Sequence, residues 1–330
     1  MPLQFLAVGD IVTEPFIKLL EAETHCEKGS ATCTICLKWG DKIPYESATL
    51  VPAVGNAANA AVGAARLGLT SALRAYVGDD RYGEECLEVL TREGVVTDYM
   101  VTEPGKKTNY HYVLWYGNER TILVKHEDFT YTPPALDERP EWIYLSSLAA
   151  NSQPYHDALA AMLERFPNTR IAFQPGTFQM KLGVDALRPW YERSDLFFCN
   201  VEEAARILGH KDVPKIETLL EEMHELGPSL VVITDGTNGA YAYDGDRRLK
   251  IPMYPDSRGP FERTGAGDAF ASTVTAALAL GREPEEALLW GPINSMAVVQ
   301  EVGAQRGLLT REALEKYLND APADYRTTEF

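Results

Sequence analysis

The sequence predicts an α/β protein with a mostly parallel central sheet between two helical layers, on three observations. Short apolar runs of strand length, among them Gln4–Val8, Trp142–Ser147, Arg170–Phe173, Leu196–Asn200 and Leu230–Thr234, recur along the chain. Helical patterns at Tyr155–Arg165, Gly183–Tyr191 and Glu202–Leu208 fall between them, and such alternation implies right-handed crossovers and a three-layer α-β-α arrangement. No repeat, low-complexity tract or Gly/Ser/Pro-rich linker divides the 330 residues, so 1–330 reads as one domain.

Composition narrows the partners. Apolar residues make up 45% and charged residues 24%, the balance of an ordinary globular chain. A net charge of −17 argues against nucleic acid and anionic membranes as partners. With no run of ~18 apolar residues and no secretory signal, a cytoplasmic protein is expected. Cys26, Cys33, Cys36, Cys86 and Cys199 make an odd set, which in that compartment favours reduced thiols. His25, Cys26, Cys33 and Cys36 hint at a zinc cluster, but no second CxxC or HxxxH completes it.

Taken in order, the chain begins with Gln4–Val8, closed by Gly9-Asp10, and Ile11-Val12 continues the strand to Glu14. Carboxylates at the C-terminal end of a first strand suit an α/β sheet, whose ligands lie outside the strand ends. Pro15–Pro52 lacks helical periodicity and reads as strands and turns outside the main sheet, with Glu21–Ser30 a polar insertion. Ala57–Leu67 is an alanine-rich helix stopped by Gly68, with Asn56 as its N-cap. Asn59 within that helix is costly to bury unless it finds a partner, and Gly55 ahead of it allows a ligand close to the backbone.

Thr70–Gly78 reads as strand, Glu84–Glu93 as amphipathic helix and Gly94-Val95-Val96 as the opening of a further strand. Tyr110, Tyr112, Leu114 and Tyr116 alternate before a Gly117-Asn118 turn and Glu119–Val124, the pattern of a hairpin. Asn200-Val-Glu-Glu203 follows a strand and has the spacing of a capping box. Thr234-Asp-Gly236-Thr-Asn-Gly239 reads as a hairpin turn before Ala240–Tyr243. Glu285–Val302 is a helix with Asn294 and Ser295 in mid-run, and Ala321–Phe330 reads as a frayed tail.

The chemistry concentrates in Glu262–Ser272, E-R-T-G-A-G-D-A-F-A-S. Gly265, Ala266 and Gly267 precede Asp268 at the start of a helix that Gly281 stops. Free N–H groups and the positive end of the helix dipole make such a start an anion site. A carboxylate there either caps the helix or takes a proton from a hydroxyl while the N–H groups hold a transferring phosphoryl. No GxxxxGK[ST] pattern is present, so a P-loop is excluded.

T-G-A-G-D-A-F-A-S at 264–272 resembles the C-terminal signature of the ribokinase-like (PfkB) carbohydrate and nucleoside kinases. V-G-N-A-A-N at 54–59 is similar to that family's N-terminal signature, with Val54 in place of its first glycine. The resemblance runs from about residue 4 to 318. It implies a ribokinase-like fold in which two stretches, about 15–52 and 106–132, form a small β lid over the substrate and offer a surface for a homodimer. It implies ATP-dependent phosphorylation of a sugar or sugar-like hydroxyl, with Asp268 as catalytic base and Gly265, Ala266 and Gly267 as anion hole. Glu14, with Asp10 as second candidate, would grip substrate hydroxyls together with Gly55 and Asn59. Asn200 and Glu203 would order Mg²⁺ through water. Thr234, Gly236 and Gly239 would line ATP, and Asn294 would border the adenine.

Departures from the family pattern carry information too. Glu262-Arg263 stands where Asp-Thr is usual, and in many members that Asp helps bind a monovalent cation, so potassium activation is left open. Val12, Asn56 and Ser146-Ser147 replace residues typical of ribokinases, which argues against ribose. A nucleoside kinase, with Tyr110 and Tyr112 holding the base, and a non-catalytic ligand-binding protein on the same fold are the rival readings.

Overall fold

The computed structural model of the chain describes residues 2–26, 33–117, 119–256 and 258–330. The chain begins β1 (Phe5–Val8), β2 (Val12–Leu19), β3 (Glu23–Cys26), β4 (Cys33–Cys36), β5 (Tyr45–Val54), α1 (Asn56–Arg66), β6 (Ser71–Arg74), β7 (Tyr76–Gly78) and α2 (Arg81–Arg92). It continues β8 (Val101–Glu103), β9 (Tyr112–Tyr116), β10 (Glu119–Leu123), β11 (Trp142–Leu145), α3 (Gln153–Leu163), β12 (Arg170–Phe173), α4 (Thr177–Leu182), α5 (Val184–Arg193), β13 (Leu196–Asn200) and α6 (Val201–Ile207). It ends α7 (Ile216–Glu225), β14 (Leu230–Thr234), β15 (Ala240–Tyr243), β16 (Arg248–Ile251), α8 (Ala266–Ala279), α9 (Pro284–Val298), α10 (Arg311–Asn319) and β17 (Thr328–Glu329).

Nine strands form the main sheet in the order β17-β16-β15-β14-β13-β12-β11-β1-β6. From β14 to β6 every neighbouring pair is parallel, and β15, β16 and β17 add an antiparallel edge. Side chains alternate across each strand, and both faces are covered. Phe5 and Ala7 of β1, Trp142 and Tyr144 of β11 and Phe198 of β13 enter one core with α1, α8 and α9. Leu6, Val8, Ile143, Leu145 and Phe197 enter the opposite core with α3, α5 and α7. The three-layer, mostly parallel arrangement follows from this double burial.

A second sheet, β10-β9-β2-β5, stands apart from the first. Its pairs are antiparallel β2·β5, parallel β2·β9 and antiparallel β9·β10. Here one expectation is corrected. Ile11-Val12 does not prolong β1; the chain leaves the main sheet after Val8, and β2 starts the smaller sheet with a register shift between Val12 and Glu14. Glu14 therefore stands on the smaller sheet.

Other boundaries moved for local reasons. Asn56 is the first residue of α1, and Gly55 is its cap. Val96 makes only an isolated bridge to Ala72. The helix expected over Gly183–Tyr191 is α5, and Gly183, at φ 87°, separates it from α4, which was not foreseen. The tail is not frayed: β17 pairs with β16, and the Tyr325 hydroxyl donates to the Leu289 carbonyl at 2.6 Å. Cys26 and Cys33, expected as thiols, face each other across β3 and β4 and are joined by a disulfide, while Cys36, Cys86 and Cys199 are free. Part of the Glu21–Ser30 insertion and Asn118 of the expected turn lie outside the described residues. No helix among the described residues is long and apolar enough to cross a membrane.

Candidate active site

A cleft of about 280 Å³ opens where the C-terminal ends of the parallel strands meet the smaller sheet. Its floor is the start of α8. Gly265 caps that helix at φ 81°, a left-handed conformation that favours glycine. A Cβ there would also come within 2.3 Å of the Ala304 Cβ. No side chain caps the helix, so the first-turn N–H groups of Ala266, Gly267 and Asp268 have no intrahelical acceptor. Upstream, the Glu262 Oε1 accepts from the Thr264 backbone N–H at 2.8 Å and from its hydroxyl at 2.5 Å, holding the loop in place.

Asp268 sits in the first turn and accepts from three amides. The Asn56 Nδ2 donates to Oδ1 at 2.9 Å, the Asn59 Nδ2 to Oδ2 at 2.8 Å and the Gln174 Nε2 to Oδ1 at 3.4 Å. Two of these donors, Asn59 and Gln174, are oriented from behind. The Asn59 Oδ1 accepts from the Gln305 Nε2 at 3.1 Å, and that nitrogen also donates to the Ala53 carbonyl at 2.6 Å. The Gln174 Oε1 accepts from the Tyr144 hydroxyl, which turns its amide nitrogen toward Asp268. Burial disfavours the carboxylate, the amide donors favour it, and the nearby Glu14 and Glu203 charges oppose it; the balance pushes Asp268 up to about 6. A carboxyl poised near neutrality beside unpaired N–H groups can accept a proton while an anion is held next to it.

Asn200 and Glu203 line the opposite wall, with Thr234. The capping box is real: the Glu203 N–H donates to the Asn200 Oδ1 at 2.8 Å, and the Asn200 N–H to the Glu203 Oε2 at 3.0 Å. Burial holds Glu203 above the usual carboxylate range, against the opposing pull of the Asn200 N–H and Arg206. Hard oxygen donors of this kind facing an anion loop suit Mg²⁺.

Glu14 and Gly55 line the cleft at the end toward the smaller sheet. Glu14 is 7% exposed, and its Oε1 lies 3.5 Å from the His111 Nδ1. Asp10 is not among the lining residues; its Oδ1 accepts from the Tyr131 hydroxyl at 2.8 Å and its Oδ2 lies 2.9 Å from the His126 Nδ1. Gly236 and Gly239 flank a 3₁₀ turn between β14 and β15, beyond Thr234 and outside the lining. Asn294 is corrected outright. It is fully buried, donates to the Thr273 hydroxyl at 2.8 Å and accepts from the Leu309 N–H at 2.9 Å, so its amide ties α9 to α8 instead of facing a ligand.

Tyr110 and Tyr112, enlisted above for a nucleobase, line a separate cavity with Tyr82 and share no lining residue with the cleft. Sequence reading overlooked Asn56 as a donor, Gln174, Gln305 and Arg120. Only their pairing across distant segments reveals them.

Comparison with known proteins identifies the family. Residues 41–311 match the pfkB family carbohydrate kinase. The ribokinase of Bacillus subtilis (strain 168) is 29% identical over 288 residues, 86% of this chain and 92% of that protein. Two solved structures share the fold. Arabidopsis thaliana ribokinase complexed with ribose and ATP has a TM-score of 0.78 at 19% identity, covering 96% of this chain and 99% of that one. The Methanocaldococcus jannaschii nucleoside kinase has a TM-score of 0.75 at 20% identity, covering 96% and 98%. With the family matched over most of its length, the chain belongs to the pfkB carbohydrate kinases and is a sugar or nucleoside kinase that transfers phosphoryl groups to hydroxyls.

Proposed function

We propose that this protein is an ATP-dependent kinase of a sugar or sugar-like hydroxyl, with Asp268 as its general base. The observation that carries the reading is Asp268 itself, held by three amides beside the Gly265–Gly267 backbone and raised to about 6. The acceptor hydroxyl attacks the γ-phosphorus in line, its proton passes to Asp268, and the bond to the leaving ADP oxygen breaks. The N–H groups at the start of α8 hold the charge on the phosphoryl oxygens. Asn200 and Glu203 are the residues that would hold Mg²⁺ through water, and the ion would supply charge neutralisation at the phosphates. Thr234, at the end of β14, lines the nucleotide side.

Glu14 anchors the acceptor at the opposite end, where a buried carboxylate next to His111 suits a polyol. The position of Tyr110 and Tyr112 outside the cleft favours a sugar over a nucleoside. Asn59 serves the base and not the acceptor: both ends of its amide are engaged, one on Asp268 and one on Gln305. A screen of ATP consumption over sugars, sugar acids and nucleosides, with product identified by mass, tests the reading. A phosphorylated sugar is expected. Turnover of nucleosides alone would move the assignment to the nucleoside branch, and ATP consumption with no acceptor phosphorylated would end it.

A further inference from the structure

Two Glu-Arg dipeptides lie across the cleft from each other with their charges exchanged. Glu119-Arg120 is on β10 and Glu262-Arg263 precedes the anion loop. The Arg263 Nη1 meets the Glu119 Oε1 at 2.8 Å, and the Arg120 Nε lies 3.9 Å from the Glu262 Oε1. The two contacts differ in kind. Arg263 and Glu119 are 46% and 66% exposed, a surface pair of little energetic weight. Glu262 is 1% exposed, and a carboxylate so deeply buried needs a counter-charge.

Arg120 supplies that charge without being consumed by it. At 3.9 Å the contact is coulombic and too long for a hydrogen bond. The Arg120 Nε is buried without a hydrogen-bond partner, and so is the Glu262 Oε2. Arg120 and Arg263 are the cations that line the cleft among the described residues, where Glu14, Glu203 and Asp268 already concentrate negative charge. A nucleotide triphosphate adds several more. Arg263 is committed to Glu119 at the rim; Arg120 points inward with donors to spare.

We propose that Arg120, presented by β10, is the cation that binds the transferring phosphoryl group, with Glu262 holding its guanidinium in place beside the anion loop. This rests on the kinase reading above. The monovalent cation that many relatives bind at this position does not fit here, because the Arg120 guanidinium already stands beside Glu262 as its counter-charge and repels a second cation at the remaining Oε2. Phosphotransfer is therefore independent of potassium. In chemical terms Arg120 donates to the equatorial oxygens as the bond to the ADP oxygen lengthens, and it neither gives nor takes a proton.

The test compares the wild type with Arg120→Ala and Arg120→Lys, each checked for an unchanged melting transition. Arg120→Ala is expected to lose about 10²–10³-fold in kcat, the range for a preorganised donor on a developing charge, with acceptor KM within about twofold. Free guanidinium ion should restore part of that loss, and wild-type rates should be equal in KCl and NaCl at one ionic strength. Should the alanine variant fail to fold, Arg120→Lys carries the comparison, since it keeps the charge and loses the fork. Titration of ADP and a non-hydrolysable ATP analogue without acceptor gives an independent readout: the preference for the ATP analogue should shrink at least about fivefold in either variant. Wild-type kcat in the alanine variant, a potassium requirement in the wild type, an unchanged ATP-over-ADP preference, or a loss confined to acceptor KM would each overturn the proposal. The titration needs no acceptor, so it decides the role of Arg120 even if the acceptor screen defeats the kinase reading.

Discussion

The Asn59 side-chain nitrogen lies 2.8 Å from the Asp268 Oδ2, joining the middle of α1 to the first turn of α8. Asn59 is 4% exposed, and Gln305 occupies its other end. Its hydrogen bond is one of the interactions that hold the Asp268 pKa down against burial. Asn59→Ala should therefore shift the acid limb of the pH–kcat/KM profile to higher pH and lower kcat at neutral pH by about tenfold, roughly the value of one hydrogen bond to a charged group. If acceptor KM rose while the limb stayed in place, Asn59 would belong to the acceptor pocket instead.

Burial pushes the Asp268 carboxyl up toward neutrality. Its value is raised to about 6, so the base is protonated and idle below that point and ionised above it. The profile of kcat/KM should fall about tenfold per pH unit below about pH 6 and level off above. Asp268→Asn should lower kcat by about 10²–10⁴-fold, abolish the acid limb and leave nucleotide affinity within a few-fold. Near wild-type turnover in that variant would remove the base from the mechanism.

The Gly265–Asp268 floor was legible because its parts are contiguous: glycines, a carboxylate and a helix start stand next to one another in the chain. The same holds for β13, β14 and β15, apolar runs with clear turn residues at their ends. What stayed hidden depends on long-range pairing. Gln174 follows β12 and Asn56 opens α1, and both donate to one carboxylate only because the sheet brings these ends together, while Gln305, beyond α9, reaches it only through Asn59. The apolar residues on either side of Gly9-Asp10 concealed the passage from one sheet to the other, since both sides of the break are buried. The two residues of β17 became a strand through β16, which no local pattern in a polar tail signals. Asn294 showed the opposite error: a buried amide was read as a ligand contact when its partners were Thr273 and Leu309.

Glu14 stands on β2 at the cleft end nearest the smaller sheet, nearly buried and 3.5 Å from His111. A site that hydrogen-bonds substrate hydroxyls discriminates strongly, because unmatched buried polar groups are left unpaired. Glu14→Ala should cut kcat/KM for the true acceptor at least about tenfold while calorimetric binding of an ATP analogue stays unchanged. Loss of nucleotide affinity with an unaltered acceptor KM would place the acceptor elsewhere.

Glu203 serves two structures at once, and one substitution separates them. Its carboxylate closes the capping box of α6 through the Asn200 N–H at 3.0 Å, and it also lines the cleft opposite the anion loop. Glutamine at the same position still closes a capping box, so Glu203→Gln should leave the melting temperature nearly unchanged. What it removes is the negative charge that would draw hydrated Mg²⁺ toward the phosphates. The Mg²⁺ concentration for half-maximal rate should therefore rise about 10-fold or more, as for loss of an outer-shell anchor. Asn200→Ala makes the complementary measurement, since it deletes the N-cap acceptor and should cost about 1 kcal/mol of stability. An unchanged Mg²⁺ dependence in Glu203→Gln, with stability lost instead, would leave Glu203 as a cap and nothing more.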